Sequence, residues 1–489
     1  MSFPLAKLGT FEGRFRILHC SWLAFFISFV VWFNHAAILG SLRDGFGLSD
    51  GQIKALLILN VAITIPARII IGMLVDAFGP KRVYTVLLLI SGLLCIAFAL
   101  AQSFGQLALL RFLLGFVGAG FVVGIRLISE WFPAREVGFA EGIYGGWGNF
   151  GASAATVAVP LLALAVGGDN GWRYAVASTG ALAIAYALFF YRNVSDTPKG
   201  STYFKPKRGG AMEVSNKGDF VLYALSLLPM VLALALLIWK LGPSGLGLLG
   251  SGASGALYGV VVLMGLLQWW RAWQVNAQVF VKPVPAFDRY PFKQVLMLNL
   301  AYMAAFGSEI AVISMLPLFF QDTFGLSQMA AGLVGASFTV SNLFARPGGG
   351  WIADRIGRSR ATLIALAGVT AGYLLMSKLD ANWPVTAAVL LTVVCSVFVQ
   401  AGCGTVYAAI PLVKRRLTGQ VAGMAGAYGN VGGVIFLTVL SFTSPQHFFL
   451  VIGLFSLAVW IACWFWLEES QTQTADVLPD GTVMMIEVK

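Results

Sequence analysis

Two arginines stand inside apolar stretches of this chain at matching places. Arg68 lies within Leu56–Met73 and is followed by Gly72 and Asp76; Arg346 lies within Ala330–Ile352 and is followed by Gly350 and Asp354. Both segments read Arg-x3-Gly-x3-Asp and run into a basic turn, Gly79-Pro80-Lys81-Arg82 in one case and Arg355-Ile356-Gly357-Arg358 in the other. A charged side chain near a bilayer centre costs about 2.5–3.5 kcal/mol on insertion scales, so it faces a polar cavity rather than lipid. The stretch from Arg68 to Asp76 amounts to ~12 Å of helix rise, against a hydrocarbon half-thickness of about 15 Å. The guanidinium therefore falls near the midplane. A planar cation with paired N–H donors matches a small anion with delocalised charge. Two of them at equivalent points predict one central anion site.

The elements that must carry these residues follow from composition. Of 489 residues, 58% are hydrophobic and 11% charged, with a mean hydropathy of +0.82. That balance belongs to a polytopic α-helical membrane protein and not to a soluble domain. The net charge of +11 does not point to nucleic acid, because the bases are scattered in short loops; the positive-inside rule explains them. Cys20, Cys95, Cys395, Cys403 and Cys463 fall in apolar runs without metal-ligand spacing, and the only histidines are His19, His35 and His447. Neither a metal site nor a disulfide framework is expected.

Apolar runs of spanning length lie at roughly 17–39, 54–75, 83–102, 106–128, 140–165 and 173–191. A second series lies at roughly 294–320, 329–353, 361–378, 384–408, 419–442 and 447–467. Between the two sixes are Phe220–Trp239 and about 252–270, giving a total of about fourteen spans. The expected organisation is a six-helix bundle over 1–191, linkers with an inserted hairpin (about 219–271) over 192–291, a second bundle over 292–468, and a tail over 469–489. Lys81 and Arg82, the basic run after the sixth span, Arg355 to Arg360 and Lys414 to Arg416 all fall in alternate loops. Both termini are therefore expected in the cytoplasm, with the protein in the plasma membrane. The first apolar run is span-length and lacks a small-residue cleavage site, so a removable signal peptide is not expected. Gly245-Leu246-Gly247-Leu248-Leu249-Gly250 is formally a GxGxxG, but no strand precedes it and no acidic residue follows at the required distance. It reads as a turn between two membrane helices rather than a nucleotide loop.

The halves share more than the arginines. Gly146-Trp147-Gly148-Asn149-Phe150-Gly151 lies in the fifth span and Tyr428-Gly429-Asn430-Val431-Gly432-Gly433 in the eleventh. Asn149 and Asn430 are 281 positions apart, Arg68 and Arg346 278. Such register predicts duplicated bundles with the site at their interface. Asn149 and Asn430 are candidate donors to the anion or orienters of its arginines, with interhelical hydrogen bonding as the structural alternative. The glycines let backbones approach closely. Arg126 and Glu130 form an i,i+4 pair beside the turn at Pro133. Glu309 is an intramembrane carboxylate with no counter-ion nearby in sequence, and so a candidate proton carrier.

The turns Gly72-Met-Leu-Val-Asp76-Ala-Phe-Gly79-Pro-Lys81-Arg82 and Gly350-Trp-Ile-Ala-Asp354-Arg355-Ile-Gly357-Arg358 resemble the loop motif of the major facilitator superfamily. The resemblance implies the major facilitator fold of two rocking six-helix bundles, here with two inserted helices. It assigns Asp76, Lys81, Arg82, Asp354 and Arg358, joined by Arg126 and Glu130, to gating. The segments around Asn149 and Asn430 resemble the two signatures of the nitrate/nitrite porter family, with Gly145, Gly148, Gly151, Gly426, Gly429 and Gly432 as signature glycines. That resemblance places Arg68 and Arg346 on the family's substrate-binding arginines, and Tyr302, Phe306 and Phe121 on its aromatic site residues. Glu309 looks more like the proton-coupled nitrate permeases of cyanobacteria, algae and plants than like the bacterial antiporters. The implied partners are nitrate, nitrite, protons and the lipid bilayer. Alternatives are nitrate/nitrite exchange, a carrier for another small anion such as a short carboxylate, or a channel. No nucleophile–base constellation stands in the chain, so neither an enzyme nor a bound cofactor is expected.

Overall fold

The computed structural model describes residues 5–469, 473–477 and 483–487. Among these residues, thirteen helices are long and apolar enough to cross a membrane. The first six are α1 (Gly13–Phe33), α2 (Gly51–Phe78), α3 (Pro80–Ala99), α4 (Phe104–Trp131), α5 (Ala134–Val166) and α6 (Gly171–Asn193). The inserted pair is α7 (Lys217–Leu241) and α8 (Ser251–Phe280), followed by α9 (Phe292–Phe324). A fourteenth place is taken by α10, Gln328–Val340 continuing as Asn342–Ile356, whose Asn342, Arg346, Asp354 and Arg355 lower its hydropathy. The rest are α11 (Arg358–Met376), α12 (Val385–Leu412), α13 (Arg415–Leu440) and α14 (Pro445–Trp466). The fold class read from the sequence is thus the one observed, and each span lies where the apolar runs place it. Beyond α14, β1 (Gln473–Val477) pairs antiparallel with β2 (Val483–Glu487), a hairpin that the sequence reading of the tail did not include.

The two halves repeat in detail. In α2 the helix is interrupted between Ala62 and Thr64, and in α10 between Val340 and Asn342, each a little over one turn before the arginine. Glycines then bring the halves together crosswise. A Cβ on Gly142 or Gly146 of α5 would strike the backbone of α10 at Arg346 and Asn342. One on Gly423 of α13 would strike the Arg68 carbonyl, and one on Gly72 would strike Gly419. Each arginine-bearing helix therefore packs backbone to backbone on the glycine-asparagine helix of the opposite half, which only glycine permits. Elsewhere the outer faces are apolar and exposed, as at Leu93, Leu164, Leu232 and Leu390, the surface expected to meet lipid.

The inserted pair packs outside this frame. The Tyr428 hydroxyl of α13 donates to the Ser226 carbonyl of α7 at 2.8 Å. Ile65, Pro66 and Ile69 of α2 line a small cavity shared with Leu227, Met230 and Leu234. Helix α7 thus covers the seam between α2 and α13, while α8 is mostly exposed. The glycine-rich segment between them is a turn: Leu246 N–H donates to the Lys240 carbonyl at 2.8 Å, and Gly247 takes φ +65°.

Candidate functional site: a guanidinium pair between the halves

Arg68 and Arg346 are 1% and 2% exposed. Arg68 Nη1 donates to the Gly426 carbonyl at 3.0 Å, a bond from α2 to α13. Its Nε is buried without a partner. Arg346 is more fully engaged. Its Nη2 meets Glu309 Oε2 at 2.9 Å, and its Nε donates to Gln400 Oε1 at 3.1 Å. With the Asn149 amide turned so that its oxygen faces the guanidinium, that oxygen accepts from Nη1 at 2.8 Å and Nη2 at 3.1 Å. Asn149 therefore reaches across the halves to orient Arg346.

Glu309, which the sequence leaves without a counter-ion, has one in Arg346, and Asn342 Nδ2 donates to its other oxygen at 3.0 Å. Arg68 has no carboxylate partner among the described residues. Two guanidiniums against one carboxylate leave the site one positive charge in excess. In a buried, low-dielectric setting such an excess favours a bound monoanion. Asn430, one turn on from Gly426, has neither its amide oxygen nor its nitrogen hydrogen-bonded among the described residues. A buried amide left unpaired costs about 1–3 kcal/mol, a cost that a polar guest removes.

Aromatic rings wall the site. Phe306 lies 5.2 Å from Arg68 Cζ and 5.6 Å from Arg346 Cζ, so a single ring serves both cations. Tyr302 stacks on Phe306 at 5.0 Å and 10°. Phe306 lies within a π-helical turn, Met303–Gly307, and Tyr302 directly precedes it, a local departure that often marks functional positions. Phe121 stands 6.0 Å from Arg68 Cζ. Tyr407 was not singled out by sequence, yet it meets Phe121 edge-on at 4.6 Å and Tyr302 at 4.8 Å. Gln400 was also missed; its signal was a lone amide in the apolar run of α12.

The signature glycines divide by role. A Cβ on Gly426 would sit 2.7 Å from Arg68 Nη1, and one on Gly429 2.7 Å from Phe306 Cδ1. On Gly145 it would stand 3.3 Å from Phe121 and 3.5 Å from Arg346 Nη1. These three border the site. Gly148 and Gly151 instead admit Phe25 and the Phe26 backbone of α1, and Gly432 admits the π-helical turn.

The basic turns close one end of the interface. Asp76 accepts from the Gly419 and Gln420 amides of α13, both at 2.9 Å. Asp354 accepts from the Gly138 and Phe139 amides of α5 at 3.1 and 2.9 Å. Asp76 sits at the first turn of the helix from Thr418, where free amides and the dipole favour an anion, and Asp354 sits one turn farther along α5. Arg126 meets Asp76 Oδ1 at 3.1 Å and pairs with Glu130, which also binds Arg415 at 2.8 Å across the halves. Arg358 meets Asp354 at 3.0 Å and donates to the Ala134 carbonyl. Lys81 and Arg82 do not join these cross-half contacts. The Lys81 amide donates to Asp196 at 2.7 Å within its own half, and Arg82 is exposed.

The loops around the inserted pair lie over the same end. Tyr203 donates to the Val75 carbonyl at 2.5 Å, and Arg126 Nη2 donates to the Phe204 carbonyl at 2.8 Å. Farther on, Glu213 and Asp288 bind Arg416 at 2.8 and 2.5 Å, and Asp288 also binds Lys207 at 2.5 Å. Burial alone would push the Asp288 carboxyl up; hydrogen bonds from Arg416 and Lys207, with Lys414 nearby, outweigh it and hold the group well below the usual carboxylate range.

Two pseudo-symmetric six-helix bundles with a charged pair between them have the architecture of a membrane carrier. The sequence profile of the Major Facilitator Superfamily matches residues 21–278 and 298–486, and the chain belongs to that family, a family of transporters rather than enzymes. The resemblance to the nitrate/nitrite porters also holds. The chain is 44% identical to the nitrate/nitrite transporter NrtP of Picosynechococcus sp., over 98% of each chain. It is 43% identical to the NrtP of Nostoc punctiforme, over 95% of this chain and 94% of that one. Among solved structures, the E. coli fucose:proton symporter FucP superposes with a TM-score of 0.60 at 12% identity, over 93% of this chain and 99% of that chain. At that identity the likeness speaks for the fold alone.

Proposed function

We propose that this chain is a secondary active transporter that takes up nitrate and nitrite across the plasma membrane by alternating access, in symport with protons. The observation that carries the reading is the uncompensated guanidinium of Arg68 beside the Arg346–Glu309 pair, next to the unpaired amide of Asn430. Arg68, Arg346, Asn149 and Asn430 would supply donors to a flat monoanion, and Phe306, Tyr302 and Phe121 its walls. The names of the two NrtP relatives support the same substrates. The positive-inside bias supports a cytoplasmic side for both termini and for the end closed by Asp76 and Asp354.

Coupling follows from charge. Bringing one negative charge inward against an inside-negative potential costs about 2.3 kcal/mol per 100 mV. Two or more protons per anion make the cycle electrically favourable. An anion that takes over Arg346 releases Glu309 from its ion pair, and a released buried carboxylate gains a proton. Anion binding and proton binding are then one event. The second reading, nitrate/nitrite exchange, is favoured by the same ion pair if it persists through the cycle, with Glu309 as a fixed counter-ion.

Counterflow of labelled nitrate in proteoliposomes, with nitrite, chloride and formate as competitors, tests the substrate. A pH-gradient assay tests the coupling: Glu309→Gln abolishes accumulation while exchange continues. Accumulation by that variant, or a requirement of the wild type for internal nitrite, would overturn symport through Glu309.

A further inference from the structure

A second buried carboxylate lies on the opposite wall of the interface. Glu141 of α5 is 2% exposed, and neither of its carboxylate oxygens has a hydrogen-bond partner among the described residues. It stands one turn from Gly138, whose amide donates to Asp354, and one turn from Gly145, which faces Arg346 Nη1. Two turns on is Asn149, the amide that orients Arg346. Glu141 is therefore placed between the closing aspartate and the anion site, on the helix that serves both.

Of the charges on elements packed against α5, none pairs with Glu141 among the described residues and most are engaged elsewhere, although Arg16 of α1 keeps its Nε unpartnered. On α10, Arg346 is taken by Glu309, Gln400 and Asn149, and Asp354 by two amides and Arg358. On α1, Arg14 pairs with Glu136 at 2.8 Å, and on α4 Arg126 pairs with Asp76 and Glu130. Tyr144 of α5 and Tyr407 of α12 donate to backbone carbonyls. Asp354 and Arg358, opposite in sign, are bonded to each other. An ionised carboxylate so enclosed has no cation of its own and no donor, a state that burial does not tolerate.

We infer that Glu141 is a second proton-carrying residue of the transport cycle, protonated while Asp354 is seated on α5 and deprotonated when that contact opens to water. While Asp354 is seated, water is shut away from Glu141 and the carboxyl has no donor among the described residues, so the buried acid carries its proton. When the halves part, Asp354 and Arg358 leave with their own half, water reaches the carboxyl, and the O–H proton passes to water on that side. Glu309 takes a proton from the outer side when the anion arrives and releases it as the anion leaves; Glu141 takes one from the outer side while Asp354 is seated and releases it to the other side when that contact opens, so two protons accompany one anion.

The inference rests on the symport reading, and the experiment separates the two. Protein reconstituted in vesicles is used to measure protons per nitrate from reversal potentials and to record infrared difference spectra on lowering and raising pH. In the wild type the ratio is about two, and a protonated carboxylic carbonyl band is present at neutral pH. Glu141→Gln lowers the ratio to about one and removes that band, whereas Glu141→Asp restores both in part. A wild type that moves no protons with nitrate overturns the symport reading and this inference with it. A wild type that does, with a Glu141→Gln ratio unchanged or the band still present, overturns the assignment of Glu141 alone.

Discussion

Glu309 and Arg346 meet at 2.9 Å although they are 37 positions apart and on different helices, while Arg68, the counterpart of Arg346 across the pseudo-twofold, has no acid among the described residues. The duplicated frame thus carries an unequal charge. One arginine is balanced and the other is left to be balanced by what enters.

On the proposed function, the two arginines supply the anion with a planar fork and not with charge alone. Arg68→Lys and Arg346→Lys keep the charge but lose paired donors worth about 1.5–3 kcal/mol for bonds to a charged group, or roughly 10–100-fold in affinity. Nitrate uptake by inserted, folded protein should fall by at least that range. Near wild-type uptake by both variants would show that the fork is not used.

Gly426 and Gly145 should respond unequally to alanine. A methyl on Gly426 lands 2.7 Å from Arg68 Nη1, whereas one on Gly145 finds 3.3 Å of clearance to Phe121. Overpacking costs about 1–3 kcal/mol, here spent in displacing a flexible side-chain end that belongs to the site. Gly426→Ala should therefore raise KM by about tenfold or more with normal expression, and Gly145→Ala by about threefold at most. Equal effects would mean that both glycines serve backbone packing only.

Asp288 should matter to stability and not to the pH profile of transport. Its folded carboxyl is held below the unfolded value by Arg416 and Lys207. Stability from a depressed acid is fully present above the unfolded pKa near 3.8 and is lost as pH falls through the folded one. The cluster is then intact throughout the neutral and mildly acid range. Asp288→Asn should lower the thermal stability of purified protein by about 1.5–3 kcal/mol, while the pH dependence of uptake keeps its shape. A shifted profile would place Asp288 in the coupling path.

Much of this was legible in the sequence, because membrane helices declare themselves by length and duplication by register. Arg68, Arg346, Asn149, Asn430 and the glycines stand at repeated offsets, and repetition separates signal from the apolar background. What has no twin was harder to see. Tyr407 and Gln400 have no counterpart at equivalent positions of the first half, and nothing in spacing brings Glu309 to Arg346. Glu141 sits beside signature glycines and reads as part of their helix until its lack of partners is seen. Lys81 and Arg82 share a motif with Asp76, yet only the aspartate faces the other half, since the helix N-terminus across the interface attracts an anion and not a cation.

The segment from Tyr203 to Glu213 is tied to one half at Val75 and to the other at Arg416. Ten residues of fully drawn chain reach at most about 35 Å. With both knots holding, the separation of Val75 from Arg416 has a fixed upper bound, whatever the lipid or the ligand. The linker that leads into the inserted pair is in this sense the tether of the duplicated frame. Shortening it should narrow the opening before it alters the choice of anion.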